Sequence, residues 1–585
     1  MAEKNQYFPH LFEPLKVGSK TIKNRIEAAP ALFAFEHYIE LDPDPFGYTT
    51  PVPERAFRML EAKAKGGAGI VCLGELSPNH EYDKRFPFEP YLDFTSRSDK
   101  QFEIMKETAE MIKSYGAFPM GELLSCGEIK TNIGDGINPK GPSEKDLPDG
   151  SHVEAFTKEE ILSCYQDYVT ACKWFQAAGW EGIMIHCGHG WLPAQFLSPH
   201  YNHRTDSYGG SIENRSRFPL RILETVRKAV GKDYPIDMRV SAYEWIEDSI
   251  SFEDVMYFLK QAERYVDTVQ ISSGIDKVFE ANVHCITTNL EEEMPNLKWA
   301  KIAKQELKIP VSVVSAVMTP EMADEIIAKG YVDMVAFGRT LLADPNWPKK
   351  ALEGHPEDIV PCLRCSNCYH ISTDHWNVGC SVNPRYHNEE FVPSGLDLPE
   401  VKEKKHVVIV GGGPAGMKAA MTAYDRGHQV TLLEKESELG GMLRFIEKEA
   451  HKEEIKRLLN YYRTQMAKRK IEVRLNTEAT PESIKELQPD SLIVALGAVE
   501  RILPIPGIDG SKVQLATKAI MHPEQLGQEI VILGGGSIGC EIGLELAEQG
   551  KNVSILELTD TLAANANSLY REALRQKFLQ YENLH

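Results

Sequence analysis

The stretch 406–436, HVVIVGGGPAGMKAAMTAYDRGHQVTLLEKE, decides the fold of the second half of this chain. An apolar run rich in valine and isoleucine enters a glycine turn, a helical pattern follows, and a second apolar run ends on an acid. Gly411, Gly413 and Gly416 give the spacing G-x-G-x-x-G, and Glu434 lies 23 residues after the first glycine. Each position answers a physical need. The first glycine permits a tight turn, the second lets backbone N–H groups approach a pyrophosphate, the third lets the helix pack on the strand, and the acid accepts from ribose hydroxyls. The pattern recurs after IVIL (530–533), with Gly534, Gly536 and Gly539 followed by Glu557, again 23 residues from the first glycine. Two matches with one spacing predict two dinucleotide-binding units, over 401–500 and 501–585. The second is expected to be incomplete, because the sequence ends about one helix after Glu557. A carboxylate at 557 suits the free 2′-hydroxyl of NADH and would repel the 2′-phosphate of NADPH.

Working back toward the N-terminus, eight short apolar, β-rich runs alternate with longer segments of helical periodicity: 25–29, 69–73, 117–122, 182–186, 236–240, 267–271, 310–314 and 333–337. Eightfold alternation predicts a closed parallel (β/α)8 barrel, an α/β TIM barrel, over 1–354. Its active site is then expected at the C-terminal strand ends, near residues 30, 122, 186–191, 239, 272–276, 315 and 338.

Between the two halves, residues 355–400 hold Cys362, Cys365, Cys368 and Cys380, the only clustered cysteines among eleven. The spacing C-x2-C-x2-C with a fourth cysteine after eleven residues supplies four thiolates, enough for a [4Fe–4S] cluster or for one zinc ion. Neighbouring dinucleotide folds favour the cluster, since two-electron carriers held apart need a one-electron relay. Composition limits the partners. A formal charge of -20 disfavours nucleic acid and anionic membranes. The first twenty residues lack an apolar signal core, and no run of eighteen apolar residues follows, so a cytoplasmic protein is expected.

FEPLKVGSKTIKNRI (12–26), AKGGAGIV (64–71), HCGHGWLPAQFLSPHYNHRTDSYGGSIENRSRF (186–218), FGRTLLADP (337–345) and the cysteine cluster together resemble the old yellow enzyme family. More narrowly, they resemble its long iron–sulfur branch of 2,4-dienoyl-CoA reductase, trimethylamine dehydrogenase and anaerobic bile-acid and steroid enone reductases. The resemblance implies FMN in the barrel, a [4Fe–4S] cluster beside it, and FAD and NADH on the C-terminal half, with electrons passing from NADH to FAD to cluster to FMN to substrate. It also implies self-association into a homo-oligomer. His186 and His189 match the pair that hydrogen-bonds a substrate carbonyl over the flavin. Arg239 matches the arginine at the flavin N1–O2 edge, and Gly338 and Arg339 match the FMN phosphate turn. Pro30, at the end of strand one, joins the expected flavin contacts.

Several positions depart from the family pattern. Trp191 stands where a tyrosine usually gives the second proton, and an indole N–H cannot supply one. Solvent, Tyr201, Tyr243 or His284 are then the alternatives. Glu122 replaces a glutamine against the flavin pyrimidine, Leu32 replaces the Thr or Cys that tunes flavin N5 and O4, and Ser315-Ala316 replaces a Gly-Gly at the phosphate end of strand seven. The function expected is NADH-dependent reduction of the C=C bond of an α,β-unsaturated carbonyl compound, an enone, enoate or enoyl thioester. Two alternatives are an oxidative amine dehydrogenase, which Glu122 and the cysteine spacing favour, and a zinc-stapled binding or electron-carrier subunit.

Overall fold

A computed structural model describes residues 5–30, 54–78, 83, 94–97, 100–129, 137–147, 150–375, 379–389, 391–393, 398–399 and 401–585. All eight expected barrel strands form, at Ile26–Ala28 (β1), Ile70–Leu76 (β2), Phe118–Leu123 (β3), Gly182–Cys187 (β4), Ile236–Ser241 (β5), Thr268–Ser272 (β6), Val311–Val314 (β7) and Met334–Phe337 (β8). They close into a parallel barrel in sequence order. Nearly every residue of β3 to β6 is buried, as continuous apolar runs require when side chains fill the barrel on one face and helices cover the other.

Three of the surrounding helices start where the sequence supplies caps. Thr157 and Glu160 form a capping box at Lys158–Ala177, and the Ser251 and Thr319 hydroxyls accept from the first turns of Phe252–Ala262 and Pro320–Ala328. A hairpin, Leu15–Val17 with Lys20–Ile22, packs Leu15, Val17 and Ile22 on Ile70, Phe118, Met120, Met184 and Met334 of the barrel. One end of the interior is therefore filled by hydrocarbon.

The chain divides into two compact units. The first is residues 1–356 with 366–388, and the second is 357–365 with 389–585, so the cysteine segment is divided between them. Within the second unit His406–Val410 (β9), Gln429–Leu433 (β10), Glu472–Arg474 (β11) and Ser491–Val494 (β12) form a parallel sheet in the order β11-β10-β9-β12. Glu529–Leu533 (β13) and Asn552–Leu556 (β14) form a separate parallel pair. Its cover is the helix Ser537–Glu548, whose Ile542, Leu546 and Ala547 pack on Val553. The last residues run beside β14, where Val553 N–H donates to Asn583 O and His585 N–H to Val553 O, each at 2.8 Å. No helix among the described residues is long and apolar enough to cross a membrane.

Candidate active site

His186 sits near the C-terminal end of β4, in register with Arg239 on β5, which is in register with Gln270 on β6. All three are buried. Neighbouring strands thus aim an imidazole, a guanidinium and an amide into one layer of the barrel. His189 lies three residues beyond His186 at φ +55°, held by an N–H bond to Ser241 Oγ at 2.8 Å.

The hydrogen bonds of the two imidazoles form a chain that assigns their protons. Gly188 N–H donates to His186 Nδ1 at 3.1 Å, so the proton of neutral His186 belongs on Nε2. Nε2 meets His189 Nδ1 at 3.1 Å, and His189 Nε2 then donates to Ser272 Oγ at 2.7 Å. Both rings are held neutral. Burial, then His189 and Arg239, hold His186 well below the ordinary histidine range, and burial with Arg239 brings His189 down to about 3. The expected pair is therefore brought together as two neutral N–H donors.

Arg239 is the charged centre of this layer. Its Nε donates to Gln270 Oε1 at 2.7 Å, and its Nη1 lies 3.2 Å from Glu122 Oε1. Among the described residues its Nη2 is buried without a hydrogen-bond partner. Such a donor needs an acceptor, and the anionic N1–O2 edge of a reduced flavin would supply one. Pro30 and Glu122 converge on Gly74, where any Cβ would overlap both, leaving a cradle that a flat ring could use. Glu122, which stands in place of the family's glutamine, has a cationic partner in Arg239. Leu32 lies outside the described residues.

At the ends of β7 and β8, Ser315 and Ala316 adopt φ +103° and +51°, left-handed values that glycine usually supplies. Gly338 caps the helix Arg339–Ala343, with open space where its Cβ would be. Arg339 donates to Thr287 O and, at 3.3 Å, to Ser366 Oγ. This turn and guanidinium suit a phosphate.

Of the alternatives to Trp191 as proton donor, Tyr201 is buried, its hydroxyl has no hydrogen-bond partner among the described residues, and it lies 3.6 Å from where a Cβ on Gly190 would sit. Tyr243 and His284 belong to a rim cluster in which Trp245 stacks on His284 and Tyr243 on Trp299. Trp191 itself is buried against Leu124 and Cys126.

The four cysteines supply thiol donors, the ligand type that an iron–sulfur cluster or a zinc ion takes. Cys368 is buried, Cys362, Cys365 and Cys380 are half-buried, and Arg364 N–H points at Cys362 Sγ from 3.5 Å. Arg364 and Ser366 take φ +47° and +55°, so the backbone turns tightly between the ligands. In the second unit both glycine turns form as the spacing predicts. Gly411 and Gly534 are left-handed, Gly413 and Gly536 cap the helices that follow, and a Cβ on Gly416 or Gly539 would overlap the carbonyl of Gly411 or Gly534. Glu434 and Glu557 accept from the N–H of Gly412 and Gly535. Turns of this shape present backbone donors to a pyrophosphate.

Sequence reasoning missed Glu27, Asp237 and Gln270, while Ser272 falls in the expected stretch 272–276. The three missed residues lie on strands β1, β5 and β6, and only the register between strands reveals which of them meet.

Comparison with known proteins agrees with this geometry. The NADH:flavin oxidoreductase / NADH oxidase family matches residues 10–358, and the pyridine nucleotide-disulphide oxidoreductase family matches 405–581. An NADH oxidase of Thermoanaerobacter brockii is 34% identical, over 98% of this chain and 86% of its own. A cinnamate reductase of Clostridium sporogenes is 29% identical, over 96% and 84%. The structure of 2-naphthoyl-CoA reductase in complex with 2-naphthoyl-CoA superimposes with a TM-score of 0.89 at 30% identity, covering 99% of this chain and 87% of that one. A closed eight-stranded barrel followed by two glycine-turn units, matched along almost the whole chain, leaves one conclusion: the protein is an enzyme and belongs to the NADH:flavin oxidoreductase / NADH oxidase family.

Proposed function

We propose that this enzyme reduces the C=C bond of an α,β-unsaturated carbonyl compound, an enone, enoate or enoyl thioester, at the expense of NADH. The observation that carries this reading is the neutral His186–His189 pair, two sealed N–H donors chained from Gly188 to Ser272 beside the unpartnered Arg239 Nη2. Neutral donors in a dry site are suited to an oxygen that gains negative charge during reaction. The cinnamate and naphthoyl-CoA reductases among the relatives carry unsaturated acyl groups in their names and point to the same class.

Bound FMN, rereduced by NADH through FAD and a [4Fe–4S] cluster on Cys362, Cys365, Cys368 and Cys380, would supply hydride to the β-carbon, and a proton from solvent would complete the α-carbon. The chain does the rest. His186 and His189 exchange their bonds within the protein for the substrate carbonyl and hold the charge that develops on its oxygen. Arg239 Nη2 and the Gly74 cradle with Pro30 and Glu122 fix the flavin ring, while Ser315, Ala316, Gly338 and Arg339 hold its phosphate. Gly411, Gly413, Gly416 and Glu434 take FAD, and Gly534, Gly536, Gly539 and Glu557 take NADH.

The test is the double variant His186→Ala/His189→Ala under anaerobic conditions. NADH-driven turnover of an enone should fall about a hundredfold or more, the usual cost of removing oxyanion donors, while NADH oxidation by an artificial dye persists. Unchanged enone turnover and binding would reject the assignment. Flavin bleaching by an amine rather than by NADH would instead favour the oxidative reading.

A further inference from the structure

Three carboxyl groups and one guanidinium share the barrel interior. Glu27 of β1, Glu122 of β3, and Asp237 and Arg239 of β5 are each buried, with Gln270 and Thr268 of β6 and the Cys72 thiol of β2 among them. Arg239 Nη1 lies 3.2 Å from Glu122 Oε1 as an ion pair, its Nε donates to Gln270 Oε1, and Thr268 Oγ1 donates to Asp237 Oδ1. Among the described residues Glu27 has no ion-pair partner. Its Oε1 accepts from Gln270 Nε2 at 2.9 Å, and among those residues its Oε2 is buried without a hydrogen-bond partner.

The direction of these bonds locates a proton. A guanidinium can only donate, so Gln270 turns its oxygen to Arg239 and its NH2 to Glu27. Glu27 Oε1 is thereby an acceptor, and any proton on this carboxyl belongs on Oε2. An ionised carboxylate sealed away from water without a counter-ion is so costly that the group takes up a proton instead.

We propose that Glu27 is a neutral acid at physiological pH, with its proton on Oε2, and that it acts as a positioning residue. Through Gln270 it holds Arg239 with Nη2 turned outward, and by staying uncharged it leaves the guanidinium's charge for Glu122 and the flavin edge. This second role rests on the flavin placement above; the proton itself does not. Burial first and Asp237 second push the Glu27 carboxyl up to about 8, against the opposing pull of Arg239. Because that value is raised on folding, the associated stability is complete below the ordinary carboxylate range and is lost as pH rises through about 8.

The test compares full-length wild type with Glu27→Gln, both carrying 13C-labelled glutamate, by infrared difference spectroscopy across neutral and alkaline pH. Wild type should show a label-sensitive carboxylic-acid carbonyl band at neutral pH that bleaches with a midpoint near 8 and is missing from the variant. If Glu27→Gln does not fold, Glu27→Asp keeps an acid, removes the labelled glutamate and gives the same difference. A wild-type difference spectrum without this band overturns the proposal. The positioning role is read from the midpoint potential of the bound flavin against pH, whose slope should bend near 8 in wild type and run straight in Glu27→Gln. Identical slopes would overturn that role. Protein that shows the band but binds no FMN would reject the flavin placement and leave the proton site standing.

Discussion

At the first glycine turn Gly411 has φ +108° and Gly412 N–H lies 2.6 Å from Glu434, whereas at the second Gly534 has φ +109° and Gly535 N–H lies 2.8 Å from Glu557. The helices that follow begin alike, with Gly413 and Gly536 at ψ −178° and −179°. The surroundings differ. Most of β9 is buried in a four-stranded sheet, while β13 has one partner and leaves Val531 62% and Leu533 53% exposed. The turn is thus set by a few residues of local sequence, and the sheet that flanks it is a separate matter of distant strands. One motif occurs here in two environments, which separates what the motif contributes from what its setting contributes.

Alanine at the first glycine tests this most severely. A side chain at either position meets backbone strain of about 1–3 kcal/mol. At Gly411 a Cβ would also overlap Ala495 O, whereas at Gly534 nothing lies within 4 Å. Gly534→Ala should therefore cost about 2 kcal/mol and Gly411→Ala about 4 kcal/mol. Hydrogen exchange in the helices Pro414–Asp425 and Ser537–Glu548 of the intact chain would measure each locally. Equal losses would mean that the β12 contact adds nothing and that the environments do not matter.

The acids give a smaller contrast. Glu434 is buried and accepts from Gly412 and Glu436, so Glu434→Ala leaves two N–H groups with poor access to water and should cost about 2 kcal/mol. Glu557 lies at the surface, where water can replace it, and its removal should cost clearly less. It carries a pH signature instead. The N–H groups of Thr559 and Gly535 hold its carboxyl below the usual range, so its contribution is present above that range and fades as pH falls through the lowered value. Acid melts of Glu557→Ala should show a weaker pH dependence than wild type. An unchanged acid slope would remove the carboxylate from the account.

The same division between local and distant determinants explains what was legible in the sequence. The eight barrel strands announce themselves as short apolar runs, and the glycine turns by spacing, because each depends on residues adjacent in the chain. His186 and His189 are legible for the same reason, lying three residues apart at a strand end. The polar groups around Arg239 are not. Gln270 and Glu27 come from strands far apart in sequence, and a polar residue in a strand does not disclose whether it faces the interior or which strand it will meet. Glu122 was legible as a departure from the family pattern, but its pairing with Arg239 needed the register of β3, β4 and β5.

Ser315 and Ala316 set a third turn against the two glycine ones, and the smallest effect belongs here. The residues change from the Gly-Gly of the family pattern, yet the backbone keeps positive φ at both, +103° and +51°. Ala316 at +51° lies in the ordinary left-handed region, which costs an L-residue about 1–2 kcal/mol, and Ser315 at +103° is farther from any allowed well. Glycine at 315 would relieve that strain but would lose about 0.5–1 kcal/mol through the greater freedom of the unfolded chain, and it would also remove the 3.1 Å bond from Ser315 Oγ to Thr287 Oγ1. The net gain from Ser315→Gly should be about 1 kcal/mol or less, read as a small rise in the urea midpoint at unchanged slope. Loss of stability would mean that the serine hydroxyl outweighs the strain. In that case the turn would be held by its side chain, where the glycine turns are held by backbone alone.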